Sequence, residues 1–358
     1  MKKKLLSLLL VTSLVAGLAV GCGSSEAESQ DNTESETVES TADTSDAASA
    51  SEDSGITAST VNIAIQPSGA FIPLIIAREE GWIEDALSEY GVEVVWNDFE
   101  SGPPINESMA ADLSDIGTLG DVPTVSAIAA GQDNQVVLIA AEGERAYAIL
   151  TAADSDIESI ADLKGKTVAT TLGSTGHNLF EKALSTEGLT FDDVNLINIS
   201  AGDAGTVLST NEADAVAIWE PNVTRLVENG TAKVLTYGGE VGLLGVNPLV
   251  ADSKFVEENP TIIKVIIEQY ARGVAEIDQI SDDTLAATAE YLSLDTEQVL
   301  TVASNWDYTV DITDADTEGL QDTIGFLVTI GNLTEEYSIN DYVNTDLISQ
   351  VDLSQYIK

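Results

Sequence analysis

The chain has 358 residues with 61 acidic and 14 basic side chains, which give a formal net charge of −47. This excess of acid excludes nucleic acid as a partner, because phosphate backbones are bound by clustered Lys and Arg. A single cysteine excludes an internal disulfide, and a single histidine leaves little material for a metal centre or a nucleophile–base pair. We therefore expect no cofactor, no metal site and no enzymatic activity.

The first 22 residues have the organisation of an export signal. Lysines at positions 2–4 precede an apolar run over residues 5–20, and Gly21-Cys22 closes the segment. The run is too short for a stable membrane span. Bacterial lipoprotein signals are similar, with cleavage before the cysteine and lipid on its thiol, although Ala19 stands where a large aliphatic residue is usual. Cys22 is thus the predicted lipid attachment point; the alternative is a plain secretory signal with an incidental cysteine.

Residues 23–59 are rich in Ser, Thr, Ala, Asp and Glu and contain no Lys, Arg or aromatic residue. Such a composition buries too little apolar surface to offset chain entropy, so we expect a disordered acidic tether. Its ten carboxylates repel one another and extend it away from an anionic surface. The two segments together predict a protein anchored by lipid on the extracytoplasmic face of a bacterial membrane.

The remaining part, roughly 300 residues, is long enough for two domains with their own cores. Without the three signal lysines and the ten tether carboxylates it holds 51 acidic and 11 basic residues, a net charge of −40. That field repels an anionic ligand at long range but is screened beyond about 8–10 Å at moderate salt. We interpret the acidity as a solvation device, as for a salty or alkaline habitat.

Strand-like and helix-like segments alternate twice along this part. The first set has strands at residues 61–65, 92–96, 115–118 and 136–141, with helices at 71–80, 103–111 and 122–130. The second set has strands at 166–171, 195–199 and 214–218, with helices at 177–187, 204–210 and 222–228. Such alternation predicts an α/β protein with two parallel-rich sheets covered by helices on both faces.

Two units in succession predict two lobes with a ligand cleft between them. We assign residues 60–150 and 246–358 to lobe 1 and residues 151–245 to lobe 2, because an apolar run restarts at 246. Further helices at 261–277, 284–292, 296–305 and 317–330 are expected around lobe 1. Two crossings between lobes make a hinge, which closure around a ligand requires.

Six short loops rich in Gly, Pro, Ser or Asp follow the strands and open helices. They are Gln66-Pro67-Ser68-Gly69, Glu100-Ser101-Gly102-Pro103, Leu119-Gly120-Asp121, Gly173-Ser174-Thr175-Gly176, Ala201-Gly202-Asp203 and Trp219-Glu220-Pro221. A helix start presents unpaired N–H groups and a partial positive charge. Several of them at the carboxyl edge of open sheets predict an anion site that needs no Lys or Arg.

The loop motifs resemble a known family. The segments Phe99-Glu-Ser-Gly-Pro103, Ser114-Asp-Ile-Gly-Thr-Leu-Gly-Asp-Val-Pro123, Ile160-Ala-Asp-Leu-Lys-Gly-Lys166, Gly173-Ser-Thr-Gly-His-Asn178 and Ala217-Ile-Trp-Glu-Pro221 occur in that order. They are similar to the solute-binding components of ABC importers for aliphatic sulfonates and taurine, within the nitrate/sulfonate/bicarbonate group. The resemblance covers residues 61–250 and implies the type II periplasmic-binding-protein fold. The chain departs from the family at Ile65, where an aromatic residue is common, and at Glu220, where Asp is commoner.

Candidate ligand-binding residues come from these loops, each with a structural alternative. Ser101, Gly102 and Gly120 either donate to the anion or form turns and helix caps. Ser174, Thr175 and His177 open a helix after Gly173, and His177 is either a contact or a packing residue. Trp219 either contacts the aliphatic part of the ligand or packs inside its lobe. Gln66 either binds the ligand or holds its own loop in place. Asp121 and Glu220 are expected to bridge the lobes or to bind an ammonium group.

The function predicted from these features is that of the solute-binding component of an ABC importer. It would capture an aliphatic sulfonate or taurine as a monomer and deliver it to a permease and its ATPase. The alternative is a surface-tethered binding protein or sensor for another small solute, such as nitrate, bicarbonate, a pyrimidine precursor or an amine. An enzyme is not expected, since the chain has no nucleophile elbow, HExxH motif or cysteine pair.

Overall fold

The computed structural model describes residues 55–356. The predicted signal peptide with Cys22, and the tether up to residue 54, lie outside the described residues. The tether was predicted to extend to residue 59, but its end is already part of the fold. The backbone N–H groups of Thr57 and Ala58 both donate to Oδ1 of Asn259, at 2.8 Å. No helix of the described part is long and apolar enough to cross a membrane.

The first sheet has six strands in the order β11-β4-β10-β3-β1-β2. Strands β1 to β4 all run in one direction, whereas β10 and β11 run against them. The strands are β1 (Thr60–Ile65), β2 (Glu93–Asp98), β3 (Ile116–Thr118), β4 (Asn134–Glu142), β10 (Asn247–Asp252) and β11 (Asp307–Tyr308). We call this sheet with its helices lobe 1.

The helices of lobe 1 come from both ends of the chain. Four of them follow the early strands: α1 (Ile72–Glu79), α2 (Trp82–Ser88), α3 (Gly102–Ala110) and α4 (Asp121–Ala129). Six follow β10: α8 (Ser253–Glu258), α9 (Pro260–Glu276), α10 (Asp282–Leu292), α11 (Thr296–Ala303), α12 (Asp314–Thr329) and α13 (Asp346–Ser349). Helix α9 buries an isoleucine stripe and approaches α1 closely, because a Cβ on Gly273 would lie 2.2 Å from the carbonyl oxygen of Pro73.

The second sheet has five strands in the order β7-β6-β8-β5-β9. They are β5 (Tyr147–Ala152), β6 (Thr167–Thr170), β7 (Asn195–Asn198), β8 (Ala215–Trp219) and β9 (Ala232–Tyr237). The helices are α5 (Thr175–Thr186), α6 (Ala204–Ser209) and α7 (Asn222–Glu228). We call this sheet with its helices lobe 2. Strand β5 belongs to it, so the predicted boundary after residue 150 cuts a strand, and the chain changes sheets before Tyr147.

Strands β5 and β10 are the first strands after the two crossings, and both run antiparallel to their neighbours. A strand that follows a crossing starts at the edge of the sheet where the parallel strands end. It therefore runs in the opposite direction to them. The predicted parallel-rich pattern is thus interrupted in each sheet by its crossing strand. Tyr147 and Asn247, the first residues of β5 and β10, consequently lie at the cleft.

Several elements of the core were not predicted from the sequence, among them α2 and β9. The predicted helix at 71–80 is followed at once by α2, which begins at Trp82. Gly81 has a φ of +68°, and this left-handed turn lets the chain break direction and start a second helix at once. Strand β9 was also missed; it pairs with β5 and completes the second sheet.

Candidate functional site

A small cavity of about 20 Å³ lies between the two lobes, at the edge where the parallel strands end. This is space for roughly one water molecule, so the lobes have to move apart to admit a larger solute. Six of the eleven predicted site residues line it: Gln66, Gly102, Gly120, Ser174, Thr175 and Trp219. The structure therefore brings together loops from both lobes that are up to 153 positions apart in the sequence, from Gln66 to Trp219.

Three helices begin at this cavity without a side-chain cap from their N-cap residues, although at α4 the N–H of Val122 donates to Oδ1 of Asp121 at 2.6 Å. Helices α3, α4 and α5 follow Ser101, Gly120 and Ser174, respectively, and none of these residues accepts a capping hydrogen bond. The first N–H groups of a helix are otherwise unpaired and carry the positive end of the dipole. Their convergence gives the cavity the character of an anion site.

The hydroxyl groups at the cavity are already engaged with the protein. Ser174 donates to the carbonyl of Thr171 at 2.7 Å, and Thr175 donates to the Asp121 carboxylate at 2.5 Å. Gln66 donates its amide to the carbonyl of Thr118 at 2.7 Å and so clamps its loop to β3. These side chains fix the loops, which leaves backbone N–H groups and the Ser68 hydroxyl, which only accepts from Ala70 at 3.4 Å, as donors toward a ligand.

Asp121 joins the lobes rather than facing the cavity. It is 2% exposed and accepts from Thr175 of lobe 2 at 2.5 Å and from Thr323 of α12 at 3.0 Å. Burial raises the pKa of Asp121, and its hydrogen bonds offset only part of that effect. Gly120 makes this approach possible, because a Cβ there would lie 2.5 Å from Oγ1 of Thr175.

Glu220 forms a second contact between the lobes, in which the acid belongs to lobe 2. Its carboxylate accepts from Thr224 of α7 and from Nδ2 of Asn305 at 2.8 Å. Asn305 follows α11 of lobe 1. Glu220 has no exposed surface, and burial raises its pKa. The sequence left two roles open for Asp121 and Glu220, bridging the lobes or binding an ammonium group. In the structure both side chains make contacts between the lobes.

Gly173 and His177 do not reach the cavity between the lobes. They line a separate open groove with Leu172, Phe191 and Ile330. The His177 ring lies between Phe191 of lobe 2 and Phe326 of α12, with ring centroids 5.0 and 5.3 Å away. Burial lowers the pKa of His177 to about 4, so the ring is neutral at pH 7. Gly173 has a φ of +79°, a conformation that favours glycine. Ser101, the remaining candidate, is a buried residue before α3 outside the cavity lining.

Four cavity residues were missed by the sequence reasoning: Ser68, Pro123, Tyr147 and Asn247. Tyr147 donates its phenol to Oδ1 of Asn247 at 2.9 Å, which ties the two crossing strands together. Their position at the start of strands that enter from the other lobe is a signal that could have found them. Burial raises the pKa of Tyr147, so no lining residue is charged at neutral pH.

The site has no arrangement for a metal ion. Within residues 55–356, no group of three or more His, Cys, Asp or Glu side chains could hold one. A neutral cavity with converging helix starts is suited to a small anion that the protein binds through dipoles.

Comparison with solved structures identifies the fold. The alkanesulfonate-binding protein SsuA from Xanthomonas axonopodis pv. citri, bound to MOPS, matches with a TM-score of 0.73 and 22% identity. The match covers 80% of this chain and 98% of that one. The desulfurization enzyme DSZB also matches, with a TM-score of 0.63, 18% identity and coverage of 81% and 97%. The fold is that of periplasmic binding proteins, as predicted, and it also occurs in an enzyme.

A family model described as NMT1/THI5 like matches residues 68–279, and the chain belongs to this family. A protein of Bacillus subtilis (strain 168) that is named for binding aliphatic sulfonates is 28% identical over 291 residues. The match covers 81% of this chain and 87% of that relative. The family resemblance inferred from the loop motifs is thereby confirmed.

Proposed function

We propose that this chain is the extracytoplasmic solute-binding component of an ABC importer and that it closes its two lobes around an aliphatic sulfonate or taurine. The observation that carries the proposal is the uncharged cavity at which α3, α4 and α5 begin without a side-chain cap from their N-cap residues. A sulfonate has three oxygens that accept from such N–H groups. The names of the relatives support the same ligand class.

The remaining features of the proposal concern location and partners. Lipid on Cys22 would hold the protein at the membrane, and residues 23–54 would let a monomer reach a permease with its ATPase. Capture without turnover fits the described part, because residues 55–356 contain no cysteine and the only histidine is buried between aromatic rings. Because the fold also occurs in the enzyme DSZB, binding experiments should be accompanied by a measurement of whether the solute is chemically converted.

Sulfonates are expected to bind and to raise the melting temperature. At a ligand concentration one hundred times Kd, binding adds about 2.7 kcal/mol to the free energy of unfolding. Titration calorimetry and thermal shift with ethanesulfonate, taurine, nitrate, bicarbonate and propanoate will measure this. Because neutral dipoles carry the interaction, we expect no more than a modest loss of affinity between 0.05 and 0.5 M salt. Heat from nitrate or bicarbonate, with none from either sulfonate, would favour the alternative of a sensor for another solute.

Lipid attachment is tested separately from binding. Cys22→Ala should keep export but abolish incorporation of labelled palmitate, and the protein should shift from the membrane fraction to the medium or periplasm. Ser24→Ala, two positions away, is the matched control and should remain labelled. Continued labelling of the Cys22→Ala protein would show that the anchor assignment is wrong.

A further inference from the structure

A second cavity lies directly beyond Trp219. Its volume is about 190 Å³, and residues of both lobes line it, among them Glu100 of lobe 1 and Asn222 of lobe 2. Trp219 is 7% exposed and lines both this cavity and the smaller one at the helix starts. Trp219 is therefore the side chain that the two cavities share.

A cationic side chain lines the larger cavity. Arg225, on α7, lines it and donates to Oδ1 of Asn222 one helical turn earlier. Six of the ten Lys and Arg residues between positions 55 and 356 have a carboxylate oxygen within 4.0 Å, but Arg225 has none. Among residues 55–356, three half-buried cations lack such a partner, Arg225, Lys233 and Lys264, and of these Arg225 lines the larger cavity.

Guanidinium groups recognise carboxylates and sulfonates in a bidentate way, with two parallel hydrogen bonds. The same cavity also holds Glu100, but this side chain is exposed, so water and salt screen its charge more than that of Arg225. The charges of Arg225 and Glu100 thus differ in how strongly solvent screens them, with the cation the less screened of the two, whereas no charged side chain lines the cavity at the helix starts.

Building on the proposed function, we infer that the preferred solute is a sulfonate with a second acidic group at the far end of a short carbon chain. The sulfonate would accept from the N–H groups at the helix starts. The methylene groups would lie against the Trp219 indole, and a carboxylate would pair with Arg225. Arg225 would then decide between acidic, apolar and amino-terminated sulfonates.

Three solutes of similar size test this inference: propane-1-sulfonate, 3-sulfopropanoate and taurine. In the parent protein, we expect 3-sulfopropanoate to bind at least about tenfold more tightly than propane-1-sulfonate, with taurine the weakest. Arg225→Gln should lose about tenfold in affinity for 3-sulfopropanoate and less than about twofold for propane-1-sulfonate. Arg145→Gln, which removes another unpaired but exposed arginine, should leave the order of the three solutes unchanged.

The outcomes separate this inference from the proposed function. If no sulfonate binds the parent, the proposed function fails. If the sulfonates bind but 3-sulfopropanoate has no advantage, or Arg225→Gln weakens all three equally, the role of Arg225 is wrong while the function stands. Tighter binding of taurine than of 3-sulfopropanoate would assign the larger cavity to Glu100 and an ammonium group instead. An unchanged melting temperature of the free Arg225→Gln protein confirms that it is folded.

Discussion

Gly120→Val is expected to weaken sulfonate binding by about a hundredfold, which corresponds to about 2.7 kcal/mol. Gly120 belongs to lobe 1, and the site of a Cβ on it lies 2.5 Å from Oγ1 of Thr175 in lobe 2. Any side chain at this position meets the opposite lobe when the two are in contact. The backbone itself is not strained, because φ is −83° and ψ is 178°, which other residues adopt readily. The variant should therefore fold but be held open.

A double-mutant cycle identifies the contact that causes the loss. Gly120→Ala alone should weaken binding less than Gly120→Val does. In a Thr175→Ala background the hydroxyl is gone, and the atoms that remain near the new Cβ are Cβ of residue 175 and the phenol oxygen of Tyr147, each at 3.8 Å. Gly120→Ala should then have little further effect on the calorimetric Kd. If the loss is the same in both backgrounds, or Gly120→Val binds as the parent does, lobe closure at this contact is not part of binding.

His177→Ala should lower the stability of the free protein by about 2–4 kcal/mol, as for other large-to-small changes in a packed interior. The ring is 8% exposed and packs on one aromatic ring from each lobe. We expect the melting temperature to fall by about 5–10 °C. His177→Phe is the matched control; it keeps a ring of similar shape and should retain most of the melting temperature. A variant that melts normally but loses affinity would restore His177 as a ligand contact.

The pH dependence of stability offers an independent check on His177. In the folded protein its pKa is about 4, against 6.5 for an unperturbed histidine. Between these values the unfolded chain binds a proton that the folded protein does not, so stability falls as the pH falls from 6.5 to 4. At pH 7 the ring is neutral in both states and this loss is absent. The His177→Phe protein should lack this component, so its melting temperature should decline less across the same range.

Many of the elements and their ends could be predicted from the sequence alone, although α2, α8 and β9 were missed. Helix α7 was predicted at residues 222–228 and lies at Asn222–Glu228; α9 was predicted at 261–277 and lies at Pro260–Glu276. Apolar periodicity and Gly, Pro or Ser at the turns are local signals, and local signals decide where strands and helices begin. The loop motifs likewise identify the family, because a binding loop is a short contiguous segment.

Only the tertiary structure decides which of those loop residues meet. Gly173 and Ser174 are neighbours in one loop, yet Ser174 lines the cavity between the lobes and Gly173 lines the open groove. The direction of each residue around a helix start depends on how that helix packs. Whether a hydroxyl is free or already donates to another loop, as Thr175 does to Asp121, depends on pairing between distant segments.

The crossing strands and Arg225 are further examples of features that depend on the tertiary structure and not on local sequence. The antiparallel direction of β5 and β10 follows from where the chain enters each sheet, and nothing in the strand residues themselves encodes it. Arg225 is unremarkable in sequence, as one of 14 basic residues; its meaning comes from a cavity that two lobes create and from the absence of a carboxylate within 4.0 Å among residues 55–356. Local sequence determines where helices and strands form. The contacts between the lobes determine which residues form the site, because those contacts join residues that are far apart in the sequence.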